Sequence, residues 1–357
     1  MLRRSSAGML DDLEYISKID RSGMLDTISK LPEQIEQALG ICRDIEVDAG
    51  EIENILISGM GGSAISGDII REWLRDRADI PVHVNRDYNL PKWADEKTFA
   101  IFLSYSGNTE ETLNSFREAL ERNIPSVAIS SGGKLEEESK EKNIPHIKIP
   151  SGYQPRAATP FLLFPSIKVL EKIEPIGNVD DEISETLDVC RGIREENRKE
   201  TPSENNQAKN IALKSKDTLV HIYGWKYFVP IARRWRTQIN ENSKMIARYD
   251  EVPECNHNDI VGWSRRCELT EKSTCILLRD SHEPVRIKER YNFMKEIFES
   301  AGATVVEVNS KGENLLARQL SLMYTGDFVS CYLAILNGED PTPVDVISKL
   351  KQKLASI

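Results

Sequence analysis

NILISGMGGSAISGDII, residues 54 to 70, decides how the rest of the chain is read. Ile55, Leu56 and Ile57 form a short apolar run bounded by glycine, the pattern of a buried parallel strand. Gly59, Gly61 and Gly62 then allow a sharp turn, and Ser63 stands at the start of a helix whose apolar positions are Ala64, Ile65, Ile69 and Ile70. A strand that feeds a glycine turn and a helix N-terminus makes an anion cradle. Bare amides and the positive end of the helix dipole both favour a phosphate there.

Other readings compete for this stretch. Gly59, Gly61 and Ala64 fit a loose dinucleotide fingerprint with Asp87 as a ribose partner, and a glycine turn also occurs with no ligand at all. A Walker loop is excluded because no Gly-Lys-Ser/Thr follows. The run Thr98–Leu103 reads as another strand and delivers SYSGNTEET, residues 104 to 112, to a further helix. Ser104, Ser106 and Thr109 supply hydroxyls at that second helix start. A dinucleotide does not need this second loop, whereas a monophosphate held without Arg or Lys forks does; the competing reading is an ordinary helix cap.

Further apolar runs at 82–84, 126–130 and 146–150 alternate with helical patterns, which predicts a doubly wound parallel sheet with its ligand beyond the carboxyl ends of the strands. His83, inside one of these runs, reads as a packed or exposed residue. Arg156, in the loop after the last run, is the cation placed to neutralise charge arising in a reaction, or else part of a surface ion pair. Residues 1–50 show helical spacing and read as packing. A charged, polar segment over 179–206 places a domain boundary near 175–205, giving domains at 1–180 and 205–357. Strand and helix patterns then restart at 218, 273 and 304 as a second α/β unit without Ser-Gly cradles.

The 357 residues exceed one typical core and suit two domains. A net charge of −10, from 47 basic and 57 acidic residues, argues against a nucleic-acid surface. No apolar run nears the roughly 18 residues of a membrane span, and MLRRSSAGML lacks the features of a secretory signal, so a cytoplasmic protein is expected. Six cysteines without a C-x-x-C pair read as reduced thiols.

Three residues of the second half carry acid–base chemistry. Glu241 adjoins the apolar positions Ile231, Trp235 and Ile239 of one helix, where partial burial would suit a base; the alternative is an exposed Glu beside Lys244. His257 lies in the polar loop NHND and reads as an acid–base group or a surface histidine. On a terminal helix starting at Val344, Lys351 shares the stripe of Ile347, Leu350 and Leu354, while Lys349 and Lys353 face away. A lysine there has an anionic partner, a task, or a snorkelling stem.

Together, GMGGSAISGD (59–68), SYSGNTEET (104–112), SSGGKL (130–135), PRAA (155–158), NENSK (240–244), NHND (256–259) and DPTPVDVISKLK (340–351) resemble the bifunctional phosphoglucose/phosphomannose isomerase family. The resemblance spans nearly the whole chain and implies two tandem sugar-isomerase (SIS), flavodoxin-like domains. It implies an aldose–ketose isomerase for glucose, mannose and fructose 6-phosphates, working through a cis-enediol intermediate with no metal or other cofactor. Gly62, Ser63, Ser104, Ser106 and Thr109 would bind the sugar phosphate, and Thr342 would shape the room around C3. Glu241 would move the proton between C1 and C2, His257 and Lys351 would open and close the ring, and Arg156 would stabilise the intermediate. It further implies a homodimer with His257 supplied across the interface, and no membrane or nucleic-acid partner. A non-catalytic sugar-phosphate-binding SIS regulator is the alternative, and an NAD-dependent dehydrogenase ranks third.

Overall fold

A computed structural model describes residues 5–42, 46–47, 49–173, 176–354 and 356. Met1–Arg4, on which the reading of the N-terminus partly rests, lie outside the described residues. The chain divides into two compact units, one of Lys30–Asp188 with Gly312–Gln319 and one of the remainder.

The first unit carries a parallel sheet of β1 (Asn54–Gly59), β2 (Val82–Asn85), β3 (Thr98–Leu103), β4 (Ser126–Ser130) and β5 (His146–Lys148), in the order β2-β1-β3-β4-β5. All pairings are parallel, and β1 matches β3 from Asn54↔Thr98 to Gly59↔Leu103. Side chains alternate between the faces of the sheet. Leu56, Ala100, Phe102 and Ala128 pack with Leu113 and Phe116 of the helix Glu110–Glu121, where Phe102 and Phe116 meet edge to face at 5.2 Å. On the other face Ile57 and Val84 abut Gly67 of the helix Gly61–Leu74. Both faces are therefore covered, which is why β1 and β3 read as unbroken apolar runs. The helices leave β1 and β3 toward opposite edges, so the topological switch point lies between these two strands, at their carboxyl ends.

The second unit repeats the plan with four parallel strands, β6 (Leu219–Trp225), β7 (Ala247–Val252), β8 (Ser273–Arg279) and β9 (Thr304–Asn309), ordered β7-β6-β8-β9. β7 has no counterpart in the sequence reading. Its residues ARYDEV bury only the two ends, Ala247 and Val252, so this edge strand lacks the apolar signature of the others. The described residues up to Ser29 belong to this unit, whereas the sequence reading placed them with the first. The fully buried Lys209 explains the grouping: its ammonium donates to Asp11 at 3.0 Å and to the carbonyls of Lys199 and Thr201 at 2.9 and 2.8 Å. A buried ammonium needs such a complete set of acceptors.

The helix Val229–Ser243 is fixed against the helix Leu315–Asn337 by a buried polar row. Arg234 grips Asp327 through two bonds of 3.0 and 2.8 Å, Gln238 donates to the same carboxylate, and Trp235 donates to the Leu322 carbonyl. The paired and saturated groups hold the register of the helix that ends in Glu241. Among the described residues, no helix is long and apolar enough to cross a membrane.

Candidate active site

The first cradle forms where β1 ends. Gly61 and Gly62 already belong to the helix, so Ser63 sits inside its first turn rather than at its boundary. The amides of Ser63 and Ala64 return to the Met60 carbonyl at 3.0 and 3.4 Å. Among the described residues the amides of Gly61 and Gly62 make no hydrogen bond, which leaves two donors at the positive helix end beside the buried Ser63 hydroxyl.

The second cradle follows β3. Ser104 is buried and donates from its hydroxyl to Thr109 at 3.0 Å, while Ser106 is exposed and accepts from the Asn108 amide at 3.2 Å. Thr109 is the N-cap of the helix Glu110–Glu121, yet its side chain makes no capping bond, so the first amides of that helix face the loop. The turn is closed by glycine. Gly107 has φ of +68°, and a Cβ there would fall 1.7 Å from the Gly132 carbonyl oxygen. Because β1 and β3 are neighbours, the two cradles stand side by side at the switch point.

Arg156 lies in a 3₁₀ turn, Pro155–Ala157, and is only 4% exposed. It is therefore not a solvent-exposed surface group, and a guanidinium is desolvated only where its charge has a use or an acceptor. The turn presses on the first cradle: a Cβ on Gly62 would lie 3.2 Å from the Pro155 carbonyl oxygen and 3.3 Å from the Arg156 Cα.

In the second unit, Glu241 occupies the last turn of its helix, half-buried, on the wall of a recess of about 540 Å³. That volume is typical of a small-molecule site, about 300–1,000 Å³. Asn240 and Lys244 line it with Asp340 and the segment Pro343 to Ile347. Lys244 ends the helix in a left-handed conformation, φ +56°, and its ammonium donates to the carbonyls of Asn242 (3.1 Å), Asp340 (2.7 Å) and Pro341 (3.3 Å). The clamp ties the chain entering the terminal helix to the end of the Glu241 helix, where both line the recess. Thr342 lies within this clamped stretch, its amide donating to Asp340 Oδ1 at 3.0 Å.

His257 is exposed at the end of a 3₁₀ turn, Glu254–His257, and among the described residues it makes no hydrogen bond. The terminal helix is Asp345–Leu354, and none of its residues is buried. Ile347 is 41%, Leu350 56% and Leu354 39% exposed, so the stripe expected to bury Lys351 is itself exposed, and Lys351 with it. Apolar spacing identified the helix, but it does not bury that face among the described residues.

At the position equivalent to the second cradle, the second sheet carries the loop after β8. Glu283 there accepts from the Asp280 amide at 2.8 Å and from the Arg279 guanidinium at 2.9 Å. An amide and a guanidinium of this region are thus already engaged by the chain's own carboxylate.

A model described as a SIS domain matches residues 51–149, and one described as the C-terminal SIS domain of bacterial phospho-glucose isomerase matches residues 204–354. The bifunctional phosphoglucose/phosphomannose isomerase of Caldicellulosiruptor bescii is 42% identical over 94% of this chain and 99% of its own. The chain belongs to the bifunctional phosphoglucose/phosphomannose isomerase family. The isomerase of the same name from Aquifex aeolicus is 37% identical over 87% of this chain and 93% of its own. A glucose-6-phosphate isomerase-like protein from Thermus thermophilus shares the fold with a TM-score of 0.64, at 19% identity over 96% of this isomerase and 98% of that chain.

Two residues that shape this isomerase's candidate site escaped the sequence reading. Lys244 was visible only as a neighbour of Glu241, and its left-handed backbone leaves no mark when the residue is not glycine. Tyr105 stood inside a quoted motif, but its partners lie 26 to 48 residues away in sequence.

Proposed function

We propose that this chain interconverts glucose 6-phosphate and mannose 6-phosphate with fructose 6-phosphate as a metal-independent aldose–ketose isomerase. The supporting observation is the pair of hydroxyl-lined helix N-termini on adjacent strands β1 and β3, a neutral cradle for one phosphate. Relatives 42% and 37% identical to this chain carry both isomerase names.

On this reading Gly62, Ser63, Ser104, Ser106 and Thr109 anchor the phosphate, leaving the binding energy to orient the carbonyl end of the sugar. Glu241 takes the proton from C2 of the open-chain aldose and returns it to C1. A positioned general base of this kind supplies about 10²–10⁴-fold in rate. The proton shift passes through a cis-enediol whose oxyanion is stabilised by Arg156. His257 and Lys351 exchange the ring-opening proton, with His257 reaching the site of a second copy in a homodimer. The exposure of both residues in the single chain is in keeping with groups that act across such an interface. A cytoplasmic setting follows from the substrates proposed.

Coupled assays with each of the three sugar phosphates, with and without EDTA, test this. Two activities that survive chelation are expected. Saturable binding without turnover would replace the enzyme with a sugar-phosphate-sensing module, and activity lost on chelation and restored by a divalent metal would overturn the acid–base scheme.

A further inference from the structure

Tyr105 sits in the loop after β3, between two residues of the phosphate cradle, and is 7% exposed. Its phenol oxygen donates to the Pro150 carbonyl at 3.1 Å and accepts from the Tyr153 amide at 2.8 Å. Both partners belong to the loop after β5, the one that leads to Arg156. Its backbone carbonyl accepts from the Ser131 amide at 2.9 Å and from the Ser131 hydroxyl at 2.7 Å, in the loop after β4. One residue therefore ties together the loops that follow three strands.

Two close approaches complete the ring. Gly107 abuts the Gly132 carbonyl, and Gly62 abuts Pro155 and Arg156, so the β5 loop is held by Tyr105 on one side and by the first cradle on the other. Tyr153 adds stiffness by packing its ring 5.3 Å from Phe161 of the following helix. Burial raises the Tyr105 phenol above its ordinary value, which keeps it protonated and able to donate at neutral pH.

We propose that Tyr105 is a positioning residue that sets where Arg156 stands relative to the phosphate cradle. It touches no substrate itself. Its hydroxyl fixes the loop bearing the cation, while its backbone belongs to the loop bearing the phosphate donors. The phosphate end of the substrate and the charge on its reacting end are then measured from one rigid frame. This inference rests on the isomerase reading above.

Tyr105→Phe keeps the ring packing and removes only the two hydroxyl bonds. Misplacing a group by a fraction of an ångström costs rate rather than anchoring, so kcat is expected to fall about tenfold while the KM for fructose 6-phosphate changes less than about threefold. In an Arg156→Lys background the same substitution should cost nothing further, a non-additivity that a general loosening of the fold would not produce. Thermal melting reports whether each variant is folded. If Tyr105→Phe does not fold, Ser131→Ala removes the 2.7 Å bond to the Tyr105 carbonyl without touching the ring, and a smaller loss with the same kcat-against-KM split is expected. Unchanged kcat in a folded variant, or a full additional loss in the Arg156→Lys background, would overturn the role of Tyr105. Ser63→Ala and Thr109→Ala separate the two levels. If they raise KM while Tyr105→Phe is silent, only this inference falls; if they leave KM unchanged, the cradle falls and this inference with it.

Discussion

Lys244 places its ammonium 2.7 Å from the carbonyl oxygen of Asp340, ninety-six positions along the chain, and so binds the end of the Glu241 helix to the segment that enters the terminal helix. The ammonium donates to the main-chain carbonyls of Asn242, Asp340 and Pro341, and Glu241 lines the same recess. Lys244→Met should release the Asp340–Thr342 segment. Because the lysine is exposed, the loss of stability should stay near 1 kcal/mol. The larger effect falls on turnover through a widened recess, and equal kcat/KM in the variant and the parent would show that the clamp has no bearing on the site.

Glu241→Gln isolates the proton transfer. The amide has the shape of the carboxylate and lies half-buried at a helix end, so neither the fold nor the phosphate cradle should respond. Turnover is expected to fall by about 10³-fold with substrate affinity nearly intact. Isothermal titration with fructose 6-phosphate beside the steady-state assay reads both quantities, and retained turnover would remove Glu241 from the role of base.

What could be read from the sequence followed from what is local. Strand, glycine turn and helix start are contiguous in 54–70 and 98–121, and both cradles were legible there because the pattern and the chemistry occupy the same few residues. The strand β7 was not legible: an edge strand buries one face at most, and the polar interior of ARYDEV satisfies that constraint without an apolar run. The burial of Arg156 was equally hidden, since it depends on Gly62 yielding space about ninety residues away in sequence. For Lys351 the helical stripe was read correctly, but amphipathicity records that a helix has an apolar face and not what covers it. The six cysteines, read as reduced, are free, and all but Cys267 are buried.

Gly107 offers the sharpest test of the cradle's backbone. Its positive φ already strains any L side chain, and a Cβ 1.7 Å from the Gly132 carbonyl oxygen cannot be accommodated unless the turns after β3 and β4 separate. Gly107→Ala should cost about 2–4 kcal/mol and move Ser106 and Thr109 away from Ser63. Denaturant unfolding and the KM for fructose 6-phosphate should therefore worsen together. A variant as stable as the parent would mean that the turns are not packed as described.

The dependence of stability on pH has a source close to this cradle. His146 donates from Nε2 to the Ser130 hydroxyl at 2.8 Å, whose own proton goes to the Gly132 carbonyl at 2.8 Å. Burial holds its imidazole below the ordinary value of 6.5, opposed by Glu136 and reinforced by Lys140 and Lys148. Glu136, bonded to Lys140 and Lys148, has its carboxyl lowered to about 2 and stays ionised throughout the relevant range. In that range the unfolded chain therefore binds more protons at this position than the folded one. The corresponding stability is fully present above 6.5 and is lost as the pH falls from there through the folded-state pKa. Burial depresses His83 and His221 in the same direction, so the melting temperature should drop between about pH 7 and pH 5. His146→Gln removes one of these three contributions while keeping a donor for Ser130, and should make the decline shallower. Melting curves of the two proteins that fall in parallel across this range would show that His146 is protonated as readily in the folded state as in the unfolded one.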